Sequence, residues 1–181
     1  MRFLKEIRLK IGLYFLRKHA GKIIRDKKTI AFEEITSFVL FFETNEARVP
    51  QAIEQFSQML VKENKKVFQV VYFTGDLNRL EYGPHDKRII LTKKDLNLFL
   101  IPSKEILESF EYIAAEYLVD LNLTDCFPLL YLAAISSAHL KAGIQSDLRF
   151  PWYDLMIKDE SNDQQEFTQH LLHYIKILNP H

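Results

Sequence analysis

The sequence predicts an α/β fold: a single Rossmann-like, open, mostly parallel sheet with helices on both faces, together with a basic amphipathic N-terminal helix. Two observations support this prediction. Short apolar runs rich in β-branched and aromatic residues alternate along the chain with segments whose apolar residues recur every three or four positions. Such alternation is typical of parallel strands joined by crossover helices. The 181 residues, 48% of them hydrophobic, suit one domain with one substantial core.

The first 28 residues form a basic segment. They contain ten Lys or Arg and only two acidic residues, a net charge of +8, whereas the whole chain has a formal net charge of zero. Residues 2–24 lack proline and predict a helix with two apolar stripes separated by charged residues. The broad stripe contains Phe3, Leu4, Ile7, Ile11, Tyr14 and Phe15, and the narrow stripe contains Leu9, Leu13 and Leu16. We expect one stripe to pack on the body, and the other either to be buried as well or to remain free for a partner.

The chain therefore divides into a basic amphipathic helical extension, residues 1–28, and a Rossmann-like domain, residues 29–181. In that domain the apolar run 35–42 predicts the first strand, and Pro50 suits the first turn of the following helix. The run 67–73 predicts a second strand, which completes a βαβ unit with a right-handed crossover. After an irregular loop at 75–88, a short third strand is expected at 89–91, and Ser103 begins a helix that runs to about residue 115.

The clearest βαβ unit lies at the centre of the domain. Residues 117–123 predict a strand, Thr124 and Asp125 a helix cap, and residues 129–138 a nearly apolar helix that must be covered on several sides. A strand at 140–144 follows directly. The chain then closes with a strand candidate at 153–157 and an amphipathic helix at 164–178. We expect a strand order near 3-2-1-4-5, with a sixth strand at an edge.

This strand order predicts where a ligand would bind. In open α/β sheets the ligand crevice lies at the carboxyl ends of the strands, at the point where the strand order reverses. That point falls between the first and fourth strands. The candidate crevice residues are Glu43, Asn45, Asn122, Thr124 and Asp125.

No cofactor, metal or catalytic residue is assigned. The five glycines stand at 12, 21, 75, 83 and 143, too scattered for a dinucleotide fingerprint or a P-loop. His170 and His173 share a helix face, but the spacing of the sequence supplies no third metal ligand. Cys126 and His139 are predicted at opposite ends of one helix, about 18 Å apart at roughly 1.5 Å per residue, too far for a catalytic pair.

The composition also indicates a compartment. No run of 18 uncharged apolar residues occurs, and Lys10 interrupts the only apolar run near the start, so neither a membrane span nor a signal peptide is expected. A single cysteine, Cys126, fits a reducing compartment. We therefore expect a cytoplasmic protein, with peripheral association at the inner face of the membrane as a further possibility.

Three segments carry a resemblance to known proteins. The stretches YLVDLN at 117–122, PLLYLAAISSAHLKAGI at 128–144 and YDLMI at 153–157 resemble a small bacterial family of unknown function, whose members are similar over nearly the whole chain. This resemblance implies no activity, cofactor or catalytic residue. A more distant likeness links residues 118–143 to the acceptor-side Rossmann-like domain of heptosyltransferases. It implies half an enzyme, because those enzymes need a second domain for the nucleotide sugar.

Two functional hypotheses follow. The first is a non-catalytic binding or adaptor protein, recruited through its basic helix to a membrane surface, to RNA or the ribosome, or to a larger complex. A protein partner on the second face of that helix is included, and no DNA-binding motif is present. The alternative is a glycosyltransferase-like enzyme or enzyme half that uses the predicted crevice. The residues expected to meet an anionic partner are Arg2, Lys5, Arg8, Lys10, Arg17, Lys18, Lys22, Arg25, Lys27 and Lys28.

Overall fold

The computed structural model describes residues 2–84 and 86–178, except for the side chains of Arg2, Phe3 and Lys5. Its strands are β1 Ser37–Thr44, β2 Lys66–Phe73, β3 Arg88–Leu91, β4 Tyr117–Asp120, β5 Leu140–Ile144 and β6 Leu155–Ile157. Its α-helices are α1 Arg2–Ala20, α2 Gln51–Lys62, α3 Lys104–Glu111, α4 Phe127–Ile135 and α5 Gln164–Ile177. Short 3-10 turns lie at Leu77–Arg79 and Lys93–Asp95.

The six strands form one parallel sheet in the order β3-β2-β1-β4-β5-β6. The predicted fold class is therefore confirmed, and the sixth strand lies at an edge as expected. Strand β1 is central: Phe38 lies opposite Val67 of β2 on one side and Tyr117 of β4 on the other. The strand order reverses between β1 and β4, which places the switch point where the sequence predicted it.

The sheet is buried on both faces because successive side chains of its strands point to opposite sides. Val39 and Phe41 of β1 belong to the core beneath α1, α3 and α4. Phe38, Leu40 and Phe42 belong to the second core, beneath α2 and α5. This two-sided burial explains why the sequence of β1 is a continuous apolar run and does not alternate between apolar and polar residues.

The start of α4 differs from its prediction. The N-cap residue is Cys126, so the prediction that Thr124 and Asp125 cap this helix was wrong. Both residues have other partners: the carbonyl of Thr124 accepts a hydrogen bond from Arg149 at 2.7 Å, and Asp125 accepts one from Ser146 at 2.7 Å. Pro128 lies in the first turn, as expected.

Helix α1 packs on α4 through its narrow apolar stripe. Leu16 is completely buried, and Leu9 and Leu13 are partly buried against the same core. The two helices approach closely at Gly12, where a Cβ atom would lie 2.8 Å from the ring of Phe127. Glycine is therefore required sterically at this contact, and the helix is fixed to the body rather than projecting from it.

The segment after α1 is also fixed to the body. Arg25 donates to the carbonyl of Ala138 at 2.5 Å and to that of His139 at 2.9 Å, and both of its terminal nitrogens bond the Asp154 carboxylate. The hydroxyl of Tyr117 accepts a hydrogen bond from the backbone nitrogen of Ile30 at 2.8 Å and donates one to the carbonyl of Ile30 at 2.9 Å. These contacts hold the middle of the segment between α1 and β1 against the body of the protein.

Candidate functional site

Four of the six residues of the broad apolar stripe of α1 are exposed, while Ile11 is half-buried and the Phe3 side chain lies outside the described residues. The exposed fractions are 65% for Leu4, 37% for Ile7, 62% for Tyr14 and 40% for Phe15. At 100° per residue around the axis, Ile7 and Tyr14 lie on the side of the helix opposite Leu16, and Leu4 and Phe15 lie on one flank of that side. We call Leu4, Ile7, Tyr14 and Phe15 the outer stripe. From Leu4 to Phe15 it forms an apolar surface about 16 Å long at roughly 1.5 Å per residue.

The loop before α3 extends the outer stripe. Arg8 donates its Nε hydrogen bond to the carbonyl of Leu98 at 2.5 Å, which places this loop beside α1. The Leu98 side chain is 68% exposed, and the Phe99 ring lies 6.2 Å from the Phe15 ring between centroids. The apolar surface is therefore wider than one helix, and the Arg8 side chain forms part of its border.

Cations accompany the outer stripe. Lys10, Arg17, Lys18 and Lys22 are exposed, and the only acidic residue in α1 is Glu6. By helical geometry Lys10 and Arg17 lie along one border of the stripe and Arg8 along the other, while Lys18 continues the stripe toward the end of the helix. The arrangement is an apolar surface flanked by positive charge.

The ten predicted basic residues do not all belong to this surface. The side chains of Arg2 and Lys5 lie outside the described residues. Arg25 is hydrogen-bonded to Asp154 and to two backbone carbonyls, so its side chain stabilises the fold and is not part of the exposed surface. Lys27 lies 3.3 Å from the carboxylate of Asp154, and Lys28 lies 3.5 Å from that of Asp26.

Two of the five predicted crevice residues, Glu43 and Asn122, are in direct contact. The Asn122 side chain accepts a hydrogen bond from the backbone nitrogen of Glu43 at 2.6 Å, which ties the ends of β1 and β4. Asn45, Thr124 and Asp125 are exposed. The assignment of these five residues to a ligand crevice stays a prediction.

A residue that the sequence analysis missed occupies the same place. Arg149 is only 1% exposed, and its guanidinium lies 3.2 Å from the carboxylate of Asp120, which is 2% exposed. The same guanidinium donates to the backbone carbonyls of Asn122 at 3.2 Å, Ile144 at 3.4 Å and Thr124 at 2.7 Å. It thereby joins β4, β5 and the loop that leads into α4.

Asp120 completes this buried network. Its carboxylate accepts hydrogen bonds from the hydroxyl of Tyr153 at 2.6 Å and from the side-chain amide of Asn122 at 2.5 Å. Burial, and then the negative charge of Asp120, raises the pKa of Tyr153 well above its usual value. The tyrosine therefore remains a neutral hydrogen-bond donor, and the buried charges are fully paired.

Cys126 lies at the same end of the sheet and is 6% exposed. Burial, followed by the charge of Glu43, raises the pKa of its thiol well above the usual value, which disfavours the reactive thiolate. His139 lies at the other end of α4, where its ring bonds the carbonyl of Asp26 at 2.7 Å. Among the described residues, no group of three His, Cys, Asp or Glu side chains is arranged to hold a metal ion.

None of the helices in the described part of the chain combines the length and the apolar composition that crossing a bilayer requires. A comparison with curated proteins finds no matching sequence. The likeness to heptosyltransferases is not confirmed by the comparisons. The profile of a family of unknown function, DUF6913, matches residues 8–178, which is nearly the whole chain. The predicted membership of a family of unknown function is thus confirmed: the chain belongs to the family DUF6913.

Proposed function

We propose that this protein is a non-catalytic binding protein that attaches peripherally to an anionic membrane surface through the outer stripe of α1. The observation that supports this proposal is the combination of four exposed apolar side chains on one helix face with the cations that accompany them. Helices of this kind lie in the plane of the lipid interface, with the apolar face buried among the acyl chains and the basic residues at the headgroups. The cytoplasmic face of a membrane supplies such anionic headgroups.

The apolar contribution is substantial. Burying one large apolar side chain stabilises binding by about 1.5–3 kcal/mol when the side chain is fully exposed beforehand. Leu4 and Tyr14 are each nearly two-thirds exposed, so each is expected to contribute about 1 kcal/mol or more. Each Lys or Arg near an anionic surface adds about 1 kcal/mol. Together these contributions suffice for reversible attachment.

The outer stripe favours lipid over RNA. Phosphate contacts to RNA need Lys and Arg, but they leave the aliphatic side chains of Leu4 and Ile7 in water. A lipid interface covers both the apolar and the basic groups. Because α1 is already packed on the body through Leu16, attachment does not require the helix to form first.

The alternative of a glycosyltransferase-like reaction stays a prediction. The switch point, where such a ligand would bind, contains the buried Arg149 guanidinium and its carbonyl partners. No observation favours this alternative as a second function.

The test is flotation of the protein with vesicles of phosphatidylcholine, with and without phosphatidylglycerol. We expect binding only to the anionic vesicles. We expect the double variant Leu4→Ser, Tyr14→Ser, which loses about 2 kcal/mol or more of apolar contribution, to bind at least about thirtyfold more weakly. The matched control is Val61→Ser, Ile177→Ser, which changes two residues of similar exposure, 56% and 55%, on α2 and α5 of the opposite layer. This control is expected to bind like the unchanged protein.

Two outcomes would overturn the proposal. One is that the unchanged protein fails to bind anionic vesicles. The other is that the Leu4, Tyr14 variant binds them as well as the control does. Filter binding to RNA of mixed sequence, measured in parallel, tests RNA as the alternative partner. If the protein does not bind vesicles, and if the Leu4→Ser, Tyr14→Ser variant still binds RNA, the basic residues would be assigned to RNA.

A further inference from the structure

A small cavity of about 150 Å³ lies where the segment after α1 crosses β5. Its polar lining comes from Arg25, Lys27, Ser136 and Lys141, and Trp152 forms part of its apolar wall. The volume is well below the 300 Å³ or more that sites for drug-sized ligands usually have. The cavity is therefore large enough for an ion of phosphate size.

Lys141 is the unusual residue of this cavity, because its side chain is 2% exposed. An ammonium group has three hydrogens to donate. The Lys141 Nζ makes one long hydrogen bond, 3.4 Å, to the carbonyl of Ala134 near the end of α4. Buried charges in proteins are normally paired, so this amine has unused capacity to bind an anion.

The charges around the cavity are mainly positive. Arg25, Lys27 and Asp154 are the charged groups that act on Lys141. The single carboxylate is already engaged by the Arg25 guanidinium and lies 3.3 Å from the Lys27 amine. Burial, the charge of Arg25 and that of Lys27 lower the pKa of Lys141 to about 7, against the opposing effect of Asp154. Among the described residues, Lys141 thus lacks a full counter-charge.

We propose that this cavity binds a phosphate-class anion through the Lys141 and Lys27 amines and the Ser136 hydroxyl. The Ser136 oxygen already accepts a hydrogen bond from the backbone nitrogen of Ala138 at 3.2 Å, so its own hydrogen is available for donation to the anion. The anion is either free inorganic phosphate or the phosphomonoester headgroup of a lipid, since both present the same group. The site does not depend on the attachment of the outer stripe to a membrane.

The first test is titration calorimetry of the full chain with inorganic phosphate at pH 6.5. We expect saturable binding, and we expect Lys141→Met to weaken it by at least about tenfold, because one charge-assisted contact is removed. The control is Lys158→Met, a lysine whose side chain is 75% exposed and which lies outside the cavity. A second pair, Lys27→Ala against its neighbour Lys28→Ala, repeats the comparison without altering a buried residue.

The pH dependence provides an independent readout. Because the pKa of Lys141 is about 7, its amine loses charge between pH 6 and pH 8, and phosphate should bind more weakly at the higher pH. A site of ordinary surface lysines would behave in the opposite way, since the lysines stay charged while phosphate gains negative charge over this range. Absent phosphate binding, or equal binding by the Lys141→Met and Lys158→Met variants, would overturn the proposal.

Vesicles distinguish the two sources of the anion. If the source is a lipid headgroup, vesicles with phosphatidic acid should bind more tightly than vesicles of equal charge with phosphatidylserine, and Lys141→Met should remove that preference. If the source is free phosphate, the calorimetric binding remains without a lipid preference. The Leu4→Ser, Tyr14→Ser variant should keep its calorimetric affinity for phosphate in either case, so failure of membrane attachment and failure of this site are separable.

Discussion

Arg149→Met tests the role assigned to the buried network at the switch point. The change removes a guanidinium that is 1% exposed and leaves the carboxylate of Asp120, 2% exposed, without its cation. Removing one partner of a buried ion pair typically costs 3–5 kcal/mol. Asp120 would keep its hydrogen bonds from Tyr153 and Asn122, so we expect the lower part of this range, about 3 kcal/mol.

The assay is urea unfolding followed by circular dichroism, with both proteins measured in the same buffer. A loss of about 3 kcal/mol is a large part of the 5–15 kcal/mol by which domains are usually stable, so the midpoint should move clearly. The control is Arg79→Met, because Arg79 is an exposed arginine whose guanidinium lies 3.9 Å from Asp76. Exposed pairs contribute about 0–1 kcal/mol.

A double variant separates the buried charge from the lost packing. Asp120→Asn combined with Arg149→Met removes both charges while the side chains keep similar sizes, so it should be less destabilising than the sum of the two single changes. If Arg149→Met lowers stability by less than about 1 kcal/mol, or if the two changes simply add, the paired-charge account of this site is wrong.

Two further predictions concern buried groups. Lys141 has a pKa of about 7 in the folded chain and about 10.5 in the unfolded chain. Between pH 7 and pH 10.5 the unfolded chain therefore binds one more proton than the folded chain, so the free energy of unfolding rises with pH across that range. The urea midpoint should therefore increase more between pH 7 and pH 9 for the unchanged protein than for Lys141→Met. An equal increase for the two proteins would contradict the lowered pKa of Lys141. Burial raises the pKa of the Cys126 thiol, so Ellman's reagent should label it only as fast as the structure opens. Labelling as fast as in concentrated guanidinium would contradict the buried position.

The fold followed from the sequence because each element carries a strong local pattern. Strand β1 is a continuous apolar run, which only a sheet covered on both faces can bury. Ser103 caps α3 and Pro128 lies at the start of α4, both as expected from their types. The start of α4 was misplaced because the helix begins one residue later than a cap at Asp125 would require, at Phe127 after the N-cap Cys126, and because the Asp125 carboxylate is bonded to Ser146 instead.

The candidate sites were only partly predictable. Asn122 and Glu43 were expected to meet because parallel strands end at one edge of the sheet, and they do. Arg149 and Lys141 could not be recognised, since arginine and lysine are almost always exposed and only the tertiary contacts reveal their burial. The choice between the two stripes of α1 was also open in the sequence, because a helix pattern does not say which apolar side meets the core.

The packing of α1 determines more than which residues are exposed. Since Leu16 and Gly12 fix this helix to the α4 side of the sheet, the outer stripe points directly away from the strands. A protein attached through that stripe would have a single orientation, with the plane of the sheet along the bilayer and with α2 and α5 on the surface that faces away from the lipid. The exposed side chains of Val61 and Ile177 would then be presented to whatever approaches from that direction.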